Sequence, residues 1–143
     1  MQESSHRRQV QNLPEGIRLL LLLDTNALLW WASDPALLAE PARLAIANGR
    51  SRVYVSPISL VEIAIKEAIG KLKVPASIVE YVAASRFTEL PLTIVHAAAI
   101  RELSPIHKDP FDRLLIAQAR VEALTLVSRD ADLARYDVPL LAA

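Results

Sequence analysis

A chain of 143 residues with 52% hydrophobic side chains is long enough for one domain with a real core, and rich enough in apolar surface to favour a buried dimer face or partner groove over a solitary monomer. Sixteen basic residues balance sixteen acidic ones, so no overall positive charge attracts nucleic acid and any such affinity has to be local. The absence of cysteine excludes a disulfide framework, a thiolate metal site and a cysteine nucleophile, while no apolar run approaches the roughly 18 to 20 residues of a membrane span.

Residues 1–18, MQESSHRRQVQNLPEGIR, are polar and aperiodic. They read as a flexible extension, or as a vector-derived or misplaced start, ahead of one domain at 19–143. The apolar run that follows is too short for a secretory leader, which makes a cytoplasmic location the default. Leu19 to Leu23 is a bounded, continuous apolar run, as expected of a strand covered on both faces. Leucine is not β-branched, so a buried helix is the competing reading. TNALLWWAS continues without a breaker and fits a helix. A helix is expected over Pro41–Ala47, a strand over Arg52–Ser56, and a second helix over Pro57–Ile69, stopped by Gly70. Further helices are expected over Pro75–Ser85, Thr93–Leu103 and Pro110–Ala123, and a strand over Ala123–Ser128. FTEL and VPLL are weaker strand candidates. Strands separated by helices imply βα units and a mostly parallel sheet, an α/β fold. In such sheets ligands collect beyond the carboxyl ends of the strands, where Asp24 and Ser128 fall.

Four carboxylates interrupt or border strongly apolar segments: Asp24 after the leucines, Glu62 in SPISLVEIAIKEAIGKL, Asp112 in HKDPFDRLLIAQA and Asp130 in LVSRDADL. Val61, Ala64, Ile65 and Ala68 recur at helical spacing and predict the core face of their helix, with Glu62 one residue off that stripe. Carboxylates packed together repel one another unless a cation neutralises them, and magnesium or manganese suits oxygen ligands. Two such ions roughly 3.5 to 4 Å apart can activate water and stabilise the leaving oxygen of a phosphodiester. Thr25, Asn26 and Ser128 would orient the carboxylates by hydrogen bonds.

Each acid also has a structural reading. Asp24 is a good N-cap. Ser59-x-x-Glu62 fits a capping box, although Ser56-Pro57 is the better helix start, and Glu62 with Lys66 forms a favourable i, i+4 pair. Asp109 precedes Pro110 as an N-cap, close enough in sequence to Asp112 to border the site, and Asp112 suits the positive end of its helix. Between Asp130 and Asp132, the first stands just beyond the strand, and the second reads as the cap of a short helix. His96 reads as a helix residue and His107 as a loop residue, with no partner spacing that supports a triad. Of the adjacent Trp30 and Trp31, one is expected in the core and the other on a dimer or partner surface. Lys66, Lys71, Lys73, Lys108, Arg113 and Arg129 lie near the acidic motifs and could rim a phosphate site, of which Lys66, Arg113 and Arg129 are the candidate RNA contacts.

The ordered set LLLDTNALLWW, SPISLVEIAIKEAIGKL, HKDPFDRLLIAQA and TLVSRDADL closely resembles the PIN-domain family, and within it the VapC-type toxins of bacterial toxin–antitoxin pairs. The likeness spans about Leu20 to Leu140. It implies a three-layer α/β/α sandwich around a central, mostly parallel sheet. It also implies a magnesium- or manganese-dependent endoribonuclease that forms a homodimer and is held inactive by an antitoxin protein. By that resemblance Asp24, Glu62, Asp112 and Asp130 are the catalytic, metal-binding acids. The family usually has threonine where this chain has Ser128, a change that keeps the hydroxyl. Two alternatives stand beside this one besides a PIN ribonuclease outside any toxin–antitoxin pair. A phosphohydrolase using Asp24 as nucleophile would resemble the haloacid dehalogenase group, which wants a second aspartate where this chain has Asn26. A PIN-like module that only binds finds no support, because all four acids are present.

Overall fold

A computed structural model of the protein describes residues 19–74, 77–105 and 109–143. The expectations placed on residues 1–18, on Pro75 as a helix start, on His107 as a loop residue and on Lys108 in the basic rim lie outside them.

Five strands, β1 (Leu20–Leu23), β2 (Arg52–Val55), β3 (Thr88–Glu89), β4 (Thr125–Ser128) and β5 (Leu140–Ala142), form one sheet in the order β3-β2-β1-β4-β5. Every pairing is parallel. β1 is the centre, with Leu21 opposite Val53 on one side and Thr125 on the other. Its position explains its composition, because a strand with helices over both faces has no solvent side on which to place polar residues. Leu21 and Leu23 enter one core cluster, Leu22 enters the other, and all three are 0% exposed. Each contributes roughly 1.5 to 3 kcal/mol by leaving water.

The helices are α1 (Thr25–Ser33), α2 (Glu40–Ala47), α3 (Pro57–Ala68), α4 (Ile78–Ala84), α5 (Ile94–Ala99) and α6 (Pro110–Glu122), with short 3-10 turns at Pro35–Leu37, Ile100–Glu102 and Ala131–Arg135. The first core cluster takes Ala27, Leu28, Ala42, Ile46 and Ile78, which places α1, α2 and α4 on one face of the sheet. The second takes Leu115, Ile116 and Ala119 from α6 with Leu103 and Leu90, covering the other face. The result is a helix–sheet–helix sandwich. α3 contributes Ile63 to one cluster and Ile58 to the other, and packs against both α1 and α6.

Three expectations are corrected. The stripe predicted to be the core face of α3 points outward: Val61 and Ile65 are each 47% exposed, and Ala64 and Ala68 are exposed as well. The buried face is Ile58, Ser59, Glu62 and Ile63. This helix is apolar almost all round, so its strongest periodic stripe does not identify its inner side. Among the described residues of the helix expected over Pro75–Ser85, α4 starts at Ile78, behind a Ser77 N-cap whose hydroxyl accepts the Glu80 N–H at 3.2 Å. The helix expected over Thr93–Leu103 ends at Ala99 and continues only as a 3-10 turn.

His96 is structural. Its Nδ1 accepts the Thr93 N–H at 3.0 Å and its Nε2 faces Glu122 Oε2 at 2.7 Å, which fixes the proton on Nε2 and ties α5 to the end of α6. The Arg86 guanidinium donates to the carbonyls of Ile46, Asn48 and Ser51 and so braces the turn from α2 into β2.

Candidate active site

The carboxyl ends of β1, β2 and β4 bring the acids to one edge of the sheet. The ladder between β1 and β4 runs one residue past the strand, with the Asp24 N–H donating to Val127 O at 3.0 Å, while Asp24 O accepts the Leu28 N–H of α1. Asp24 is therefore fixed between strand and helix on both sides of its backbone. Its Oδ1 accepts the Ala27 N–H at 2.8 Å, so it caps α1. Capping accounts for one oxygen and leaves unexplained why an acid only 9% exposed is kept here. Its carboxyl is raised from the ordinary 3.8 to about 6, chiefly by burial. The hydrogen bonds from Ser128 and the Ala27 N–H pull it down, and the negative charges of Glu62 and Asp130 push it further up.

Glu62 is 5% exposed on the inner face of α3, whose start is set by the Ser56 cap and Pro57. The Thr25 hydroxyl donates to Glu62 Oε1 at 2.5 Å, and the Lys66 ammonium donates to Oε2 at 2.5 Å. Asp112 lies half-buried in the first turn of α6. That helix is capped by Asp109, which accepts the N–H groups of Phe111 at 2.8 Å and Asp112 at 3.2 Å. The charges of Glu62, Asp109 and Asp112 all act on Lys66, so α3 and the start of α6 share one acidic edge.

Asp130 is half-buried just beyond β4. Its N–H donates to Ser128 Oγ at 3.1 Å, so the Ser128 hydroxyl links Asp130 to Asp24. The capping role expected of Asp132 belongs to Asp130, whose Oδ1 accepts the Asp132 N–H at 2.9 Å, and Asp132 is exposed. Asn26 is exposed in the first turn of α1.

The two arginines from the predicted rim are engaged with backbone. Arg113 donates to Ser104 O at 3.1 Å and Ile100 O at 3.3 Å. Arg129 donates to Ala143 O at 3.0 Å and to Leu37 O, and its guanidinium lies 4.0 Å from the centroid of the Trp30 ring. Trp31 packs near Phe87, with ring centroids 6.4 Å apart. The Arg129–Trp30 stack was invisible in the sequence, because its partners come from opposite ends of the chain and carry no local pattern. Asp109 was read as a cap close enough in sequence to Asp112 to border the site, and its charge on Lys66 follows from the docking of α3 on α6.

Among the described residues, no three acidic or histidine side chains are arranged to hold one metal ion as they stand. The donor chemistry nevertheless fits a hard cation. Asp24, Glu62 and Asp130 offer only oxygen, and Asp24 is held against its ionised form by burial and by like charge that a divalent ion would offset.

Several solved structures share this fold. VapBC2 from Rickettsia felis, bound to a DNA fragment from its promoter, has a TM-score of 0.64 at 18% identity over 87% of this chain and 98% of that one. FitAcB from Neisseria gonorrhoeae has a TM-score of 0.59 at 22% identity over 85% and 96%. A toxin–antitoxin complex from Klebsiella pneumoniae has a TM-score of 0.56 at 21% identity over 80% and 90%. No curated protein sequence matches the chain. The PIN domain family matches residues 21–139, nearly the whole of the described sandwich. With five parallel strands, flanking helices and acids gathered at the carboxyl edge, the chain belongs to the PIN domain family.

Proposed function

We propose that this PIN-domain protein is a magnesium- or manganese-dependent endoribonuclease and the toxin of a toxin–antitoxin pair. The observation that carries the reading is the coupling of buried Asp24 to Glu62 and Asp130 at the carboxyl edge of the sheet. Asp24, Glu62, Asp112 and Asp130 would hold the cation, which when bound supplies Lewis-acid stabilisation of charge developing on the phosphodiester oxygens. The chain's own residues set the geometry. Thr25 orients Glu62, Ser128 orients Asp24, and the β4 carbonyl of Val127 fixes the Asp24 backbone. Single-stranded or looped RNA is the proposed substrate, because its splayed bases can be read beside the scissile phosphate.

The antitoxin partner is inferred from the structural neighbours, one of which is a toxin–antitoxin complex. A homodimer is supported by apolar side chains left in water, chiefly Val61, Ile65 and Ile69 from α3 and the residue after it, with Ile94 and Val95 on α5. No helix among the described residues is long and apolar enough to cross a membrane. The cytoplasm, where RNA and an antitoxin are both available, is the proposed location.

The test incubates purified protein with structured RNA in Mg2+ or Mn2+, then in excess chelator. Cleavage is expected with metal and none with chelator. Asp24→Asn, Glu62→Gln and Asp112→Asn should each abolish cleavage while far-UV circular dichroism stays native. Cleavage that survives the chelator overturns the metal requirement, and cleavage that survives one substitution removes that acid from the mechanism.

A further inference from the structure

We propose that Lys66 is a built-in counter-cation for Glu62, its ammonium holding the carboxylate oxygen that a divalent ion would otherwise take, so that metal binding requires Lys66 to let go. The inference rests on the proposed metal-binding role of Glu62. Both oxygens of that carboxylate are occupied, Oε1 by the Thr25 hydroxyl and Oε2 by Lys66. The two partners are not equivalent. Thr25 is buried and sits in the first turn of α1, where it can orient Glu62 whether or not a cation is present. Lys66 approaches from outside, with its side chain 43% exposed against 7% for Glu62.

An ionised carboxylate buried without an opposite charge is strongly disfavoured, and the ammonium removes that cost in the metal-free protein. Its hold is reinforced by its surroundings. The negative charges of Asp109 and Asp112 also act on the ammonium and favour its place beside the acids. A lysine also suits a reversible role. Its point charge rides on a flexible stem that can swing into solvent, whereas the planar fork of an arginine favours a fixed, paired contact. The same contact accounts for an asymmetry in the edge. Glu62 meets an opposite charge from within the chain, whereas Asp24 has the neutral Ser128 hydroxyl as its side-chain partner and feels the like charges of Glu62 and Asp130.

The experiment titrates the full chain with Mn2+ in the absence of RNA, reading free Mn2+ by electron paramagnetic resonance and stability by thermal unfolding. Lys66→Met keeps the aliphatic stem and removes the charge. It should lower the melting temperature without metal and tighten Mn2+ binding roughly two- to fivefold, the range expected for losing a partly exposed ion-pair competitor. Lys66→Arg should bind Mn2+ no more tightly than the wild type. In a Glu62→Gln background, Lys66→Met should leave Mn2+ affinity unchanged. Should Lys66→Met fold poorly, Lys66→Gln carries the same expectation. Unchanged or weaker Mn2+ binding by the charge-removing variant overturns the proposal. Absence of Mn2+ binding by the wild type overturns the metal reading itself, and this inference with it.

Discussion

Asp24→Asn should make the metal-free protein more stable at neutral pH. Asp24 has a folded-state pKa of about 6 against an ordinary 3.8, chiefly through burial. Between those values the folded chain keeps a proton that the unfolded chain has lost, so stability falls as pH rises through the window and levels off above it. Integrated from pH 4 to pH 7.5, that single group removes about 2 kcal/mol, to order of magnitude. Asparagine leaves the capping geometry in place, because its side-chain oxygen can accept the Ala27 N–H as the carboxylate does and it ranks with aspartate as an N-cap. The variant therefore deletes the charge and little else. Urea unfolding in chelator, followed by circular dichroism at several pH values, gives the stability of both proteins. Other titrating groups contribute nearly equally to each, so the difference between the curves isolates Asp24. That difference should grow in favour of the variant by about 2 kcal/mol between pH 4 and pH 7.5, and saturating Mn2+ should shrink or reverse it. A difference that stays flat with pH, or a variant less stable throughout, would refute the claim that Asp24 is held ionised against its surroundings.

Thr25→Val removes the hydroxyl that donates to Glu62 and leaves a buried carboxylate oxygen without it, so unfolding free energy should drop by about 1 to 3 kcal/mol. RNA cleavage should fall as well, whereas Thr25→Ser should restore most of both. Arg129→Ala frees Trp30, Leu37 O and Ala143 O together; a lower melting temperature and a red-shifted tryptophan emission are expected, and unchanged emission would show that the stack does not hold Trp30 in solution. The paired change Val61→Ser with Ile65→Ser touches no buried core residue, so it should reduce self-association in sedimentation without loss of folded signal; an unaltered sedimentation coefficient would remove this stripe from the proposed dimer face.

The legible parts of this fold are those where burial is uniform. β1 could be read from its leucines because both faces are covered, and β2 and β4 beside it bury Val53, Val55, Leu126 and Val127. FTEL and VPLL were weaker candidates for a reason that the sheet makes plain. β3 is an edge strand of two exposed residues, and β5, the opposite edge, buries only Leu140 and Leu141 before Ala142 is exposed, so neither carries a long apolar run. α3 misled because its outward stripe of Val61 and Ile65 is as apolar as its inner side, while Ser59 and Glu62, polar by type, face inward. A rule that places apolar residues inside fails where a helix lines a polar site and covers it with an apolar outer surface. The exchange between Asp130 and Asp132 has a similar origin. Either can cap a short 3-10 turn by spacing alone, and the choice is made by Ser128 holding the Asp130 backbone beside Asp24. The failures of pattern thus gather around the acids. The buried carboxylates there draw on partners that no local pattern shows, Thr25 of α1 for Glu62 and Ser128 of β4 for Asp24, beside the local bonds from Lys66 and the Ala27 N–H.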